Sequence, residues 1–205
     1  MLSPPMPLPA SEPPLAVAAR RASRAIGALF FSLFGGAWLV LWSFRARPEG
    51  GTVRVVLIAL SVLGAAAIFR LALRQYRRHR DALAAGAESP AKRRTDRLFH
   101  LVNGGQWLLI LIVGNVLANV GRSAWVLPAA ILIIGLHFLP LAAIFANPAH
   151  HVTGSVLVAL ALAYPFLATG GPRDPIGCLG AGLILWASAL WAVMDHPVAG
   201  EDPCP

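Results

Sequence analysis

What most constrains this chain is a series of six apolar stretches, residues 25–42, 53–73, 98–120, 124–146, 152–169 and 176–194, with too little sequence between them for a separate soluble domain. A helix needs about 20 apolar residues to cross the ~30 Å hydrocarbon core of a bilayer. Inside that core every backbone N–H and C=O must be paired within the protein, which leaves helices as the form such segments take. The sequence therefore predicts an all-α polytopic membrane protein with six transmembrane helices. Composition agrees: of 205 residues, 57% are hydrophobic and 13% charged, far from the balance of soluble domains.

The remaining segments divide around that core. Residues 1–24, rich in proline, read as a disordered cytoplasmic tail, residues 74–97 as a basic cytoplasmic loop, and residues 195–205 as a short cytoplasmic tail. The transmembrane domain occupies 25–194. Twelve of the seventeen Lys and Arg residues precede the first span or lie in the 70–97 region, and five lie on the opposite side: Arg45, Arg47, Arg54, Arg122 and Arg173. Basic residues are retained on the cytoplasmic face, so both termini are expected inside a bacterial cytoplasmic (inner) membrane. The lipid bilayer is the first expected partner, and the Arg-rich loop is placed to contact anionic lipid headgroups. Nucleic acid is not an expected partner, because the basic clusters are short and no folded domain presents them. Looser small-residue spacings, Ser61 with Ala65 and Cys178 with Gly182, allow close helix packing and a homo-oligomer. The two cysteines, Cys178 and Cys204, form no CxxC and no disulfide framework.

An internal repeat is visible in the first four spans. LFFSLFGGAWL at 29–39 aligns without gaps with LFHLVNGGQWL at 98–108, which points to a tandem duplication of a two-helix unit, spans 1 and 2 repeated as 3 and 4. The copies differ in polarity. Phe31, Phe34, Ala37 and Ala66 in the first correspond to His100, Asn103, Gln106 and His137 in the second.

These residues are the candidate site. At ~1.5 Å per residue, Gln106 and His137 share a layer about 12 to 14 Å from the cytoplasmic surface. Asn103 lies one turn shallower, on the face of Gln106. His100 stands near the mouth, and His150 and His151 occupy the turn entering span five. A histidine within the membrane is costly against lipid and is expected to face the bundle interior with a partner; Gln106 is the partner this spacing offers. Pro140 lacks an N–H for the Leu136 carbonyl and is expected to kink span four beside His137, eased by Gly135; Pro165 is expected to do the same to span five. Asn115 and Asn119, on another face of span three, read as polar contacts between helices.

GLHFLPLAAIF at 135–145, with RLFHLVNGGQW upstream, resembles a GxHFxPLA-like pattern of small, uncharacterised multi-pass bacterial membrane proteins. The resemblance covers mainly spans three to five, marks Gly135, His137, Phe138 and Pro140 as a motif, and implies no particular activity.

Three functions fit this pattern. The first is transport or permeation of small solutes through a cytoplasm-facing pocket of His137, Gln106, Asn103, His100 and His150, with histidine as the proton-exchanging group. No Asp or Glu lies within the six apolar stretches, which disfavours a carboxylate-driven exchanger. The second is a structural or accessory protein whose buried polar residues serve only helix packing. The third is a haem or metal site on His100, His137 and His150, although no ligand-spacing motif is present and no cofactor is expected from the sequence. An enzyme is disfavoured, since GxSxG, Walker-type and HExxH patterns are all missing.

Overall fold

A computed structural model describes residues 14–46, 51–85, 90–145 and 147–194. Among these residues the chain forms six α-helices: α1 Pro14–Arg45, α2 Gly51–Ala85, α3 Pro90–Asn119, α4 Val126–Ile144, α5 Ala149–Leu167 and α6 Ile176–Val193. All six are long and apolar enough to cross a membrane, and no strand interrupts them. The expected all-α, six-span architecture is the one found.

The boundaries depart from expectation at one end of the bundle. With 32, 35 and 30 residues, α1, α2 and α3 are about 48, 52 and 45 Å long, whereas α4 to α6 measure about 27 to 29 Å and match the hydrocarbon core. The extra length of the first three lies mainly at the end where α1 and α3 begin and α2 finishes. Residues 14–24, expected to be disordered, are the first three turns of α1, and the loop expected at 74–97 is helical except for residues 86–89, which lie outside the described residues. Alanine, arginine and leucine favour helix, and Pro14 and Pro90 stand in first turns, where the missing N–H costs nothing. Residues 1–13 and 195–205 are likewise outside the described residues.

Turns are fixed by local chemistry. Gly121 has φ +72°. Arg122 N–H donates to the Leu117 carbonyl at 2.7 Å and Gly121 N–H to that of Ala118 at 3.2 Å, a Schellman closure of α3. Asp174 accepts from Gly170 N–H at 3.0 Å and from Ile176 N–H at 2.9 Å, which steers the chain into α6.

Helix packing divides the bundle into two groups. Helix α1 packs against α2 and α6, and α4 packs against α3 and α5; the groups join where α6 meets α5 and, less extensively, α4. Small residues set these approaches, as is usual where lipid supplies no hydrophobic drive between helices. A Cβ on Gly36 would stand 2.7 Å from that of Ala65. At Gly182 it would meet the Gly35 carbonyl at 3.0 Å, and at Gly154 the Gly135 carbonyl at 2.7 Å. The Trp186 indole fills the slot between Gly35, Gly36 and Gly64. The core continues through Phe31, Ile131, Phe138, Leu157 and Leu185.

The two hairpins related by the sequence alignment pack differently. Gly35 and Gly36 lie against Trp186 and Ala65, while the aligned Gly104 and Gly105 have nothing within 4 Å of a Cβ position. The correspondence stays one of sequence.

Candidate functional site

Local sequence explains how the candidate residues are presented. His137 and Phe138 are neighbours on α4, about two turns before the helix ends, and His150 opens α5 after the turn at Asn147 and Pro148. Asn147 organises that turn: its Oδ1 accepts from Ala149 N–H at 3.3 Å, and its amide lies 3.4 Å from His150 Nε2.

Four aromatic rings then gather around the two histidines. Phe138 lies edge to face with His137 at 5.6 Å between centroids and stacks on His150 at 5.8 Å. From α1, Phe31 meets Phe138 at 5.3 Å and His150 at 5.8 Å. Phe145 flanks His150 at 6.4 Å and connects through a 5.8 Å contact to Phe99 on α3. This cluster is where α1 touches the other helix group: among the described residues α1 makes no close backbone approach to α3 or α4, and meets them through Phe31 against Phe138 and Phe34 against Trp107. Such ring pairs contribute about 0.5 to 1.5 kcal/mol each beyond burial, so the cluster closes this end of the bundle.

His137 is half-buried. The Val102 backbone on α3 and His150 both lie within electrostatic range of its ring. Its Nδ1 is buried and has no hydrogen-bond partner among the described residues. An unpaired buried polar atom costs about 1 to 3 kcal/mol, so it is a place where a proton, water or solute would be welcome.

The other candidates are distributed as follows. Asn103 and Gln106 are half-buried on α3, and neither makes a hydrogen bond among the described residues; the expected Gln106–His137 bond is not formed, and the α3 group that bears on the imidazole is the Val102 backbone. His100 is exposed and touches Phe99 at 5.6 Å; His151 is exposed as well. Gly135 serves close packing, since a Cβ there would lie 2.9 Å from Val158 N. Helices α4 and α5 run on through Pro140 and Pro165 as single elements. Asn115 is exposed and turns back to its own helix, donating to the Leu111 carbonyl at 3.1 Å, so the expected contact between helices is replaced by a local one. Among the described residues no three His, Cys, Asp or Glu side chains come together as a metal-binding group, so His100, His137 and His150 are not assembled as one.

A second feature lies at the opposite end, where the sequence pattern suggests only topology. A cavity of about 900 Å³ opens between the end of α1 and the start of α4, lined by Phe44, Arg45, Ser123, Leu127, Ala130 and Arg173 among others. Arg45 Nη2 donates to the Arg173 carbonyl at 3.0 Å. Leu127 and Ala130 belong to a face of α4 that continues by helical spacing through Ile134 to His137. The signal available in the sequence is that Arg45 and Arg173 both end elements on the same side. No protein-family model, curated protein or solved structure matches this chain.

Proposed function

We propose that this protein moves small solutes across a bacterial inner membrane along the boundary between its two helix groups, with the ring cluster around His137 and His150 as the constriction. The observation that carries this reading is the unpartnered, buried Nδ1 of His137, two turns below the end of a wide cavity on the same face of α4. Separation of α1 from α4 at one end and aromatic closure at the other supports an access path that a small relative movement of the helix groups would complete. His137 and His150 would exchange protons along it. The end rich in arginine is assigned to the cytoplasm, with N-in and C-in topology, on the twelve-to-five distribution of basic residues.

Proteoliposome flux tests the proposal. Reconstituted protein, loaded with a pH-sensitive dye and given gradients of protons, urea and glycerol in turn, is expected to pass at least one of them faster than protein-free vesicles. His137→Phe, which keeps ring volume and removes both nitrogens, and Ala130→Trp, which fills the cavity, should each abolish that flux. Flux that survives both substitutions, or none above empty vesicles for any gradient, defeats the reading. Reporter fusions at each terminus test the topology; activity of an externally folded reporter at either one contradicts it.

A separate observation favours the accessory-protein reading. Among the described residues helix α3 makes a close backbone approach to no α-helix but α4, meets α1 only through the Phe34–Trp107 ring pair at 6.4 Å, and has no buried residue, which leaves most of its surface to lipid or to another membrane helix. A monomeric mass by light scattering in mild detergent, together with absence of co-purifying membrane proteins, counts against that reading.

A further inference from the structure

The cavity between α1 and α4 has a chemical character of its own, set by its lining residues whether or not anything passes through the protein. Two guanidinium groups, Arg45 and Arg173, line it together with the Ser123 hydroxyl. Among the described residues neither arginine is paired with a carboxylate. The carboxylate next to Arg173 in sequence, Asp174, accepts from the Gly170 and Ile176 amides at 3.0 and 2.9 Å; Glu49, the one nearest Arg45 in sequence, lies outside the described residues. Arg45 gives one N–H to the Arg173 carbonyl; a guanidinium carries five, so four remain for another acceptor. The first turn of α4 borders the same volume through Val126 and Leu127 and has no side-chain cap, so the positive end of its macrodipole adds to the two cations.

The rest of the lining is apolar: Phe44, Leu127 and Ala130. Arg45 ends one transmembrane helix and Val126 begins another, which places the cavity at the level where hydrocarbon meets headgroups. Paired cations at a mouth with an apolar floor match a phosphate group carrying, or standing beside, an apolar chain. We propose that Arg45 and Arg173 bind a phosphate-bearing anion in this cavity.

Purified full-length protein in a neutral detergent is titrated with inorganic phosphate, short-chain phosphatidylglycerol and short-chain phosphatidylcholine, and binding is read by thermal shift and by native mass spectrometry. Saturable binding of phosphate or of phosphatidylglycerol is expected, with phosphatidylcholine weaker. The combined Arg45→Gln and Arg173→Gln variant should lose about tenfold or more in affinity, the scale of one charge-assisted contact or more. Arg122→Gln, exposed at the same end but outside the cavity lining, should bind like the parent. Equal binding of phosphate and phosphatidylglycerol identifies a free anion as the ligand, and binding of phosphatidylglycerol alone identifies a lipid headgroup; both uphold the site. The Arg45→Lys variant guards against misfolding, since it keeps a charge and should retain affinity within a fewfold. No saturable binding of either anion, undiminished binding in the double variant, or the same loss in Arg122→Gln overturns the proposal.

Discussion

The Trp186 indole N–H donates to the Ser32 carbonyl at 3.1 Å, across the approach of α6 to α1. The ring is held there because Gly35, Gly36 and Gly64 leave no other occupant for the slot. Gly64→Leu places a branched side chain where the far edge of the indole lies. Overpacking of this kind costs about 1 to 3 kcal/mol, and the expected result is a lower unfolding midpoint in detergent with a changed tryptophan emission maximum. An unchanged midpoint would mean that the indole has room to move.

Gly154 and Gly135 bring the α4 and α5 backbones together, and here the obstacle is main chain. A Cβ on Gly154 would stand 2.7 Å from the Gly135 carbonyl oxygen and 3.0 Å from Phe138 Cβ. Gly154→Val should therefore cost more than about 2 kcal/mol, measured by SDS-driven unfolding. Because Phe138 stacks on His150, the same substitution should also loosen the ring cluster, visible as faster hydrogen exchange at the start of α5.

Thr153 and Ser188 share a hydrogen bond at 2.8 Å between α5 and α6. Each hydroxyl also has its own helix to fall back on, Thr153 with the Ala149 carbonyl at 3.0 Å and Ser188 with that of Ile184 at 2.9 Å. A double-mutant cycle of Thr153→Val and Ser188→Ala should return a coupling near the ~0.6 kcal/mol average for bonds between membrane helices. A coupling above about 2 kcal/mol would show that the local bonds give no compensation.

Cys178 is fully buried and free. In a Cys204→Ser background, a maleimide added to the folded protein in detergent should label less than about a tenth of what it labels after SDS unfolding in the same interval, because reaction must wait for local opening. Rapid labelling of the folded protein would place this thiol at an accessible surface.

The six spans are legible in the sequence because apolar length is a property of consecutive residues and needs no tertiary knowledge. The Ser61 and Ala65 spacing points in the same way to a small-residue contact, and Gly36 fills it. Relations between distant segments are not legible. Depth alone pairs Gln106 with His137, but depth does not fix the rotation of a helix about its axis; the part of α3 that bears on the imidazole is the Val102 backbone, four residues earlier than Gln106. The ends of α1 to α3 extend past their expected limits because arginine, which in the sequence signals a loop or tail outside the spans, also has a high helix propensity. The cavity at Arg45 and Arg173 joins residues 128 positions apart, and no local pattern reports such a meeting.

The contact of α1 with α6 bears on how the protein is made. Helix α1 finds one of its two principal neighbours, α6, only when synthesis has passed residue 193. Until then Gly35, Gly36 and Gly64 present an unfilled notch to the surrounding lipid, and a nascent chain cut short before residue 176 would keep that notch permanently. Packing around α1 thus waits for α6 to be made, and products that stop short of it should be recognisable to membrane proteases by the defect they expose.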